Sequence, residues 1–170
     1  MYDLIKLLFD ICLFRKKPQD LPYSVGLLGL LSAIYIIIRV LMLSMHFDSL
    51  GVLMQIAVDL LLVVGCAWIM LYVARKLGRL CQVLSAALGT DAFISFFAIP
   101  GIATMELGRG GLAVFLLVLG LIVWHWAITG YIISNALEKS LSFSLGLAFL
   151  YLFGTYQVMA LLFPEVAGVK

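Results

Sequence analysis

ARKLGRLCQVLSAALGTDAFISFFAIPG, residues Ala74–Gly101, decides the fold. It opens on a basic cluster of Arg75, Lys76 and Arg79 and continues as a helix-length apolar run. Gly89-Thr90-Asp91 interrupts that run, and Pro100-Gly101 closes it. A carboxylate in the middle of an apolar segment of this length, with cations only at one end, is the pattern of a membrane span carrying a buried charge.

The whole chain supports that solvent. Of its 170 residues, 65% are hydrophobic and only 12% charged, against about 25% charged in soluble domains. So much apolar surface is accommodated by lipid, where each backbone polar group must be satisfied within its own helix. The expected fold is all-α: a polytopic membrane bundle of five transmembrane helices preceded by a short interfacial amphipathic helix.

The expected spans are about 23–45, 52–73, 80–99, 112–136 and 141–163. Pro100 is expected to kink or end the third, and Pro164 to stop the fifth. Residues 1–22 form an amphipathic helix and a basic linker. Asp3, Lys6 and Asp10 fall on one stripe at spacings of three and four, with Arg15, Lys16 and Lys17 as an anchor. Residues 164–170 form a short exported tail. No small-residue cleavage site follows the charged first residues, so no cleavable signal peptide is expected.

Orientation follows from the cations. Lys6, Arg15, Lys16, Lys17, Arg75, Lys76, Arg79 and Lys139 fall on one side of the expected topology, and only Arg109 and Lys170 on the other. The richer side is expected to be cytoplasmic. That puts the N-terminus inside, the C-terminus in the periplasm, and the chain in a bacterial inner membrane. Arg15, Lys16, Lys17, Arg75, Lys76 and Arg79 serve as topogenic charges and as contacts for lipid headgroups. Cys12 and Cys81 fall near the cytoplasmic face and Cys66 within a span, so no structural disulfide is expected.

Three charges lie inside spans: Arg39, Asp59 and Asp91. Each costs about 2.5–3.5 kcal/mol on insertion scales, so each needs a partner or a wet cavity. Arg39 lies near the end of the first span and Asp59 near the start of the second, which runs the other way. Both are roughly 10 Å from the same membrane face at 1.5 Å per residue. An Arg39–Asp59 ion pair is expected, pinning the two spans together or acting as a gate. Asp91 and His125 both fall near mid-bilayer, His125 between Trp124 and Trp126. They form a candidate polar pair, either a structural interhelical contact or a proton relay. Asp91 after Gly89-Thr90 also suits the N-cap of a half-helix.

Small residues four apart, Ser85/Gly89, Gly130/Ser134 and Ser142/Gly146, mark faces where helix backbones can approach closely. His46 and His125 differ in depth, which argues against a shared haem. No phosphate loop, dinucleotide fingerprint, zinc motif or nucleophile elbow is present. No metal, cofactor or catalytic residue is expected, and no nucleic-acid partner.

The Ala74–Gly101 segment, taken with PQDLPYSVGLLGLLSAIYIIIRV at the first span, resembles small bacterial membrane proteins of the Yip1-like group. Gln82, Leu84, Ala87, Leu88, Gly89 and Thr90 carry the likeness after a short basic loop. The resemblance implies a five-helix bundle with a cytoplasmic N-terminus and an exported C-terminus. The eukaryotic members act in vesicle trafficking and bind small GTPases through long N-terminal regions. Only about 22 residues precede the first span here, so that activity does not carry over. The resemblance transfers no functional residue.

Function is expected to be non-enzymatic: an accessory, assembly or scaffold subunit of a larger membrane complex. Its partners are then membrane lipids and other integral subunits, or copies of itself. The alternative is a small oligomeric transporter or proton- or ion-conducting element using Asp91 and His125. A membrane enzyme acting on a lipid-linked substrate is a further alternative.

Overall fold

A computed structural model describes residues 2–44, 49–106, 108 and 110–163. It is all-helical among those residues: α1 Tyr2–Cys12, α2 Val25–Leu43, α3 Ser49–Val73, α4 Leu80–Glu106, α5 Leu112–Leu137 and α6 Leu141–Leu162. Short 3₁₀ turns at Pro18–Asp20 and Leu77–Arg79 precede α2 and α4. Five of the helices, α2 to α6, are long and apolar enough to cross a membrane. His46, Arg109, Pro164 and Lys170 lie outside the described residues, as does the side chain of Asp3.

The helix ends have local causes. The Ser24 hydroxyl accepts a hydrogen bond from the Leu27 amide at 3.3 Å, so α2 starts at Val25 and Tyr23 stays outside it. Phe14, Arg75 and Glu138 take left-handed φ of 60°, 58° and 55° just past the ends of α1, α3 and α5. The amides that follow return to carbonyls a turn back: Arg15 to Asp10, Lys76 to Leu71 and Lys139 to Ser134. These are Schellman-type closures, made by non-glycine residues in all three cases.

The quoted stretch forms most of α4, the hub of the bundle. Half of its apolar window is buried, against 6–17% in the other four spans. It touches α1, α2, α3, α5 and both 3₁₀ turns. Two expectations need correcting here. Gly89-Thr90-Asp91 does not break the helix: Thr90 returns its hydroxyl to the Ala86 carbonyl at 2.8 Å and the turn continues, so Asp91 caps no half-helix. Nor does the helix end at Ile99, because Pro100 lies inside it and α4 runs on to Glu106. A proline removes one backbone bond, which a long apolar helix tolerates where neighbouring elements support it.

Glycine sets two close approaches. A Cβ at Gly89 would stand 2.8 Å from Leu8 Cδ2 and 3.4 Å from Leu31 Cδ1, so α1 and α2 both close on α4 there. A Cβ at Gly130 would stand 2.6 Å from Leu145 Cδ2 and 3.2 Å from Leu145 Cα, where α5 meets α6. Gly146 has nothing within 4 Å, so its small-residue pair marks no contact within the chain.

The α1 helix docks on this frame through Leu8, Ile11 and Cys12, all buried. Phe9 meets Phe93 edge-on at 5.9 Å, and Phe14 meets Tyr131 at 5.2 Å. The Trp124 indole donates to the Cys12 carbonyl at 3.0 Å. Gln82 donates to the carbonyls of Gln19 (3.1 Å) and Leu21 (2.7 Å), which ties the linker to the start of α4.

Candidate functional site: an interhelical charge cluster

On α2, Tyr35 and Arg39 are one turn apart and share a face. The Arg39 Nε–H donates to the Tyr35 hydroxyl at 3.1 Å, and the guanidinium lies over the Tyr35 ring, 5.2 Å from its centroid. The same hydroxyl donates to Asp59 Oδ2 on α3. Arg39 Nη2 stands 3.3 Å from that oxygen, which brings Arg39 and Asp59 together.

The guanidinium is shared. Arg39 Nη2 also donates to Asp91 Oδ2 on α4 at 3.2 Å. The other oxygen of Asp91 stands 3.4 Å from His125 Nδ1 on α5. What reads in the sequence as two separate pairs is therefore one chain of groups across four helices: Asp59, Arg39, Asp91, His125. Asp59 and Tyr35 are buried, while the Arg39, Asp91 and His125 side chains keep 30%, 17% and 23% of their surface. All five residues line a cavity of about 120 Å³. Thr90, Thr129, Thr155 and Tyr151 add hydroxyls to its wall, and Leu71, Val83 and Leu137 line its apolar end.

The cluster holds one permanent cation and two carboxylates. With both carboxylates ionised and the imidazole neutral it carries one net negative charge. One proton, or one small cation, makes it neutral. Neutrality is favoured in a low-dielectric interior, where an uncompensated charge is expensive.

The sequence reading missed Tyr35, whose spacing of four from Arg39 is the signal that places it. It also missed the Arg39–Asp91 contact, which no local pattern announces. Compared with protein-family models, curated proteins and solved structures, the chain matches none.

The topogenic cations gather at one end of the bundle. Lys76 Nζ and Arg79 Nη2 hold Glu138 at 2.5 and 2.6 Å, joining the α3–α4 turn to the α5–α6 turn. Lys76 Nζ also donates to the Leu137 carbonyl at 3.3 Å. Glu138 is exposed, and the hydrogen bonds from Lys76 and then Arg79 hold its carboxyl below the usual range. Arg15, Lys16, Lys17 and Arg75 are exposed. The Lys17 amide donates to Asp20 Oδ2 at 2.9 Å.

Proposed function

We propose that this chain is a small, non-enzymatic membrane protein that takes up a proton or small cation at the Asp59–Arg39–Asp91–His125 cluster, as an oligomeric transporter or proton-conducting element. The observation that carries the reading is the sharing of one guanidinium between two carboxylates beside a cavity. A purely structural ion pair needs one carboxylate, whereas this cluster has a second one facing free volume. Groups of this kind inside a span mark ion and proton pathways. Proteoliposomes carrying an imposed pH or sodium gradient test it. The wild type is expected to dissipate one of the gradients and Asp91→Asn to lose that flux. Absence of flux in the wild type, or full flux in Asp91→Asn, refutes the reading.

A scaffold or accessory role in a larger membrane complex is the second reading. It is favoured by α6, whose Phe143, Phe149, Phe153 and Tyr156 are all exposed, with Phe149 and Phe153 stacked at 6.0 Å. Such a face serves a neighbouring subunit, a second copy of the chain or lipid. Purification from the native membrane in mild detergent separates the two: other subunits that co-purify support the accessory role, and a preparation holding copies of this chain alone removes it.

Under either reading the proposed location is a bacterial inner membrane, with the basic end and N-terminus cytoplasmic and the C-terminus periplasmic, by the distribution of cations. We read α1 as an amphipathic helix entering from that basic side and leaning on the α4–α5 groove. The kinship to Yip1-like proteins belongs to the same proposal and rests on the Gln82–Thr90 segment.

A further inference from the structure

A second cavity, about 420 Å³, opens at the basic end of the bundle between the linker before α2, the turn before α4 and the α5–α6 turn. Its wall brings together Lys17, Arg79 and Lys139 with the polar side chains of Ser134 and Asn135, and among the described residues Glu138 is its one carboxylate. These residues come from three separate segments of the chain, and the three cations outweigh the carboxylate.

We propose that this cavity is a binding site for a phosphate group, with the phosphodiester of an anionic lipid headgroup as the occupant its surroundings favour. Three properties carry the assignment. First, the cations converge on one concave space instead of spreading over a surface, which suits a multiply charged oxyanion. Second, the site already binds an anion of its own: the Glu138 carboxylate sits 2.6 Å from Arg79 and 2.5 Å from Lys76. An incoming phosphate competes with that carboxylate for Arg79 and gains Lys17 and Lys139. Third, exposed Leu77, Leu141 and Phe143 flank the same end, so acyl chains attached to a seated headgroup find apolar surface beside it. Basic pockets between membrane helices are recognised headgroup sites. A bound phosphate would clip together the linker, the α4 turn and the α5–α6 turn, so binding should be read as stabilisation.

The test uses the full chain in maltoside micelles. Phosphatidylglycerol is titrated in one arm, phosphatidylcholine in a second and inorganic phosphate in a third. Retained lipid is counted by native mass spectrometry and stability followed by melting. The expected result is saturable retention of phosphatidylglycerol over phosphatidylcholine with a raised melting temperature. Affinity should fall about ten-fold or more in Lys17→Gln/Lys139→Gln, and rise in Glu138→Gln, which removes the resident competitor. If inorganic phosphate alone stabilises the chain as well as the lipid does, and Lys17→Gln/Lys139→Gln weakens it, the phosphate site stands and its occupant is a soluble phosphate. Absence of saturable binding in every arm overturns the site. So does binding that is indifferent to the loss of Lys17 and Lys139 or to the loss of Glu138.

Discussion

Arg39 and Asp91, 52 residues apart, meet at 3.2 Å within the span region of the bundle. This contact turns an isolated ion pair into a cluster. Without it Arg39 and Asp59 would neutralise one another, and Asp91 would be left to His125 alone. With it one guanidinium serves two carboxylates, and loss of that single side chain leaves both uncompensated.

Arg39→Met is therefore expected to destabilise the bundle by about 3 kcal/mol, the lower end of the cost of removing one partner from a buried ion pair, because the Arg39 side chain keeps 30% of its surface. Arg39→Met/Asp59→Asn/Asp91→Asn should recover most of that loss, since no unpaired charge remains. Unfolding in mixed micelles, followed by tryptophan fluorescence, measures both. A single variant as stable as the wild type would mean that the cluster is not charged as drawn.

The helix-length apolar runs and the meetings of Arg39 with Asp59 and of Asp91 with His125 were legible because each depends on local pattern. Apolar length makes a span, and a short loop makes neighbouring helices antiparallel. The Arg39–Asp91 contact depends instead on α2 lying against α4, two helices separated in sequence by α3. Gly89 and Leu31 make that approach, and a small residue does not announce its partner: Gly89 and Gly130 mark close contacts while Gly146, in the same kind of motif, marks none. Pro100 misled for a related reason. Its missing amide is a strong stop signal in water and a weak one in a long apolar helix with neighbours.

The contrast between glycines gives a second test. Gly130→Ala places a methyl 3.2 Å from the Leu145 Cα, a backbone atom that cannot swing aside, so α5 and α6 must separate. A loss of about 1–3 kcal/mol is expected from such overpacking. Gly146→Ala meets open space, so helix propensity alone acts and a gain of up to about 1 kcal/mol is expected. Melting of the two variants side by side checks the pair, and equal effects would contradict the α5–α6 packing.

Docking of α1 can be read from its own thiol. Cys12 is fully buried, and burial pushes its pKa up to about 12, opposed in part by a backbone hydrogen bond. Thiol reagents act on the thiolate, so at pH 8 Cys12 should stay unmodified in the folded protein and react fully once unfolded. Gly89→Leu, which fills the space taken by Leu8, and Trp124→Phe, which removes the hydrogen bond to the Cys12 carbonyl, should each speed its labelling. Peptide mass spectrometry after a timed maleimide pulse reads the rates. Rapid labelling of Cys12 in the wild type would place α1 off the bundle.

Glu138 supplies the pH dependence at the basic end. Lys76 and Arg79 lower its pKa in the folded chain below the ordinary value of 4.5, so the folded form binds its proton less readily than the unfolded form. The stabilising contribution is therefore fully present above about pH 4.5 and is lost as the pH falls through the lower, folded-state pKa. Glu138→Gln removes it at every pH. The wild type should melt above the variant near neutrality, and the two curves should converge on acidification below pH 4.5. The gap near neutrality should also shrink in high salt, because the pair is exposed and easily screened. A gap that persists unchanged into acid would mean that Glu138 acts through its left-handed position at the end of α5 and not through its charge.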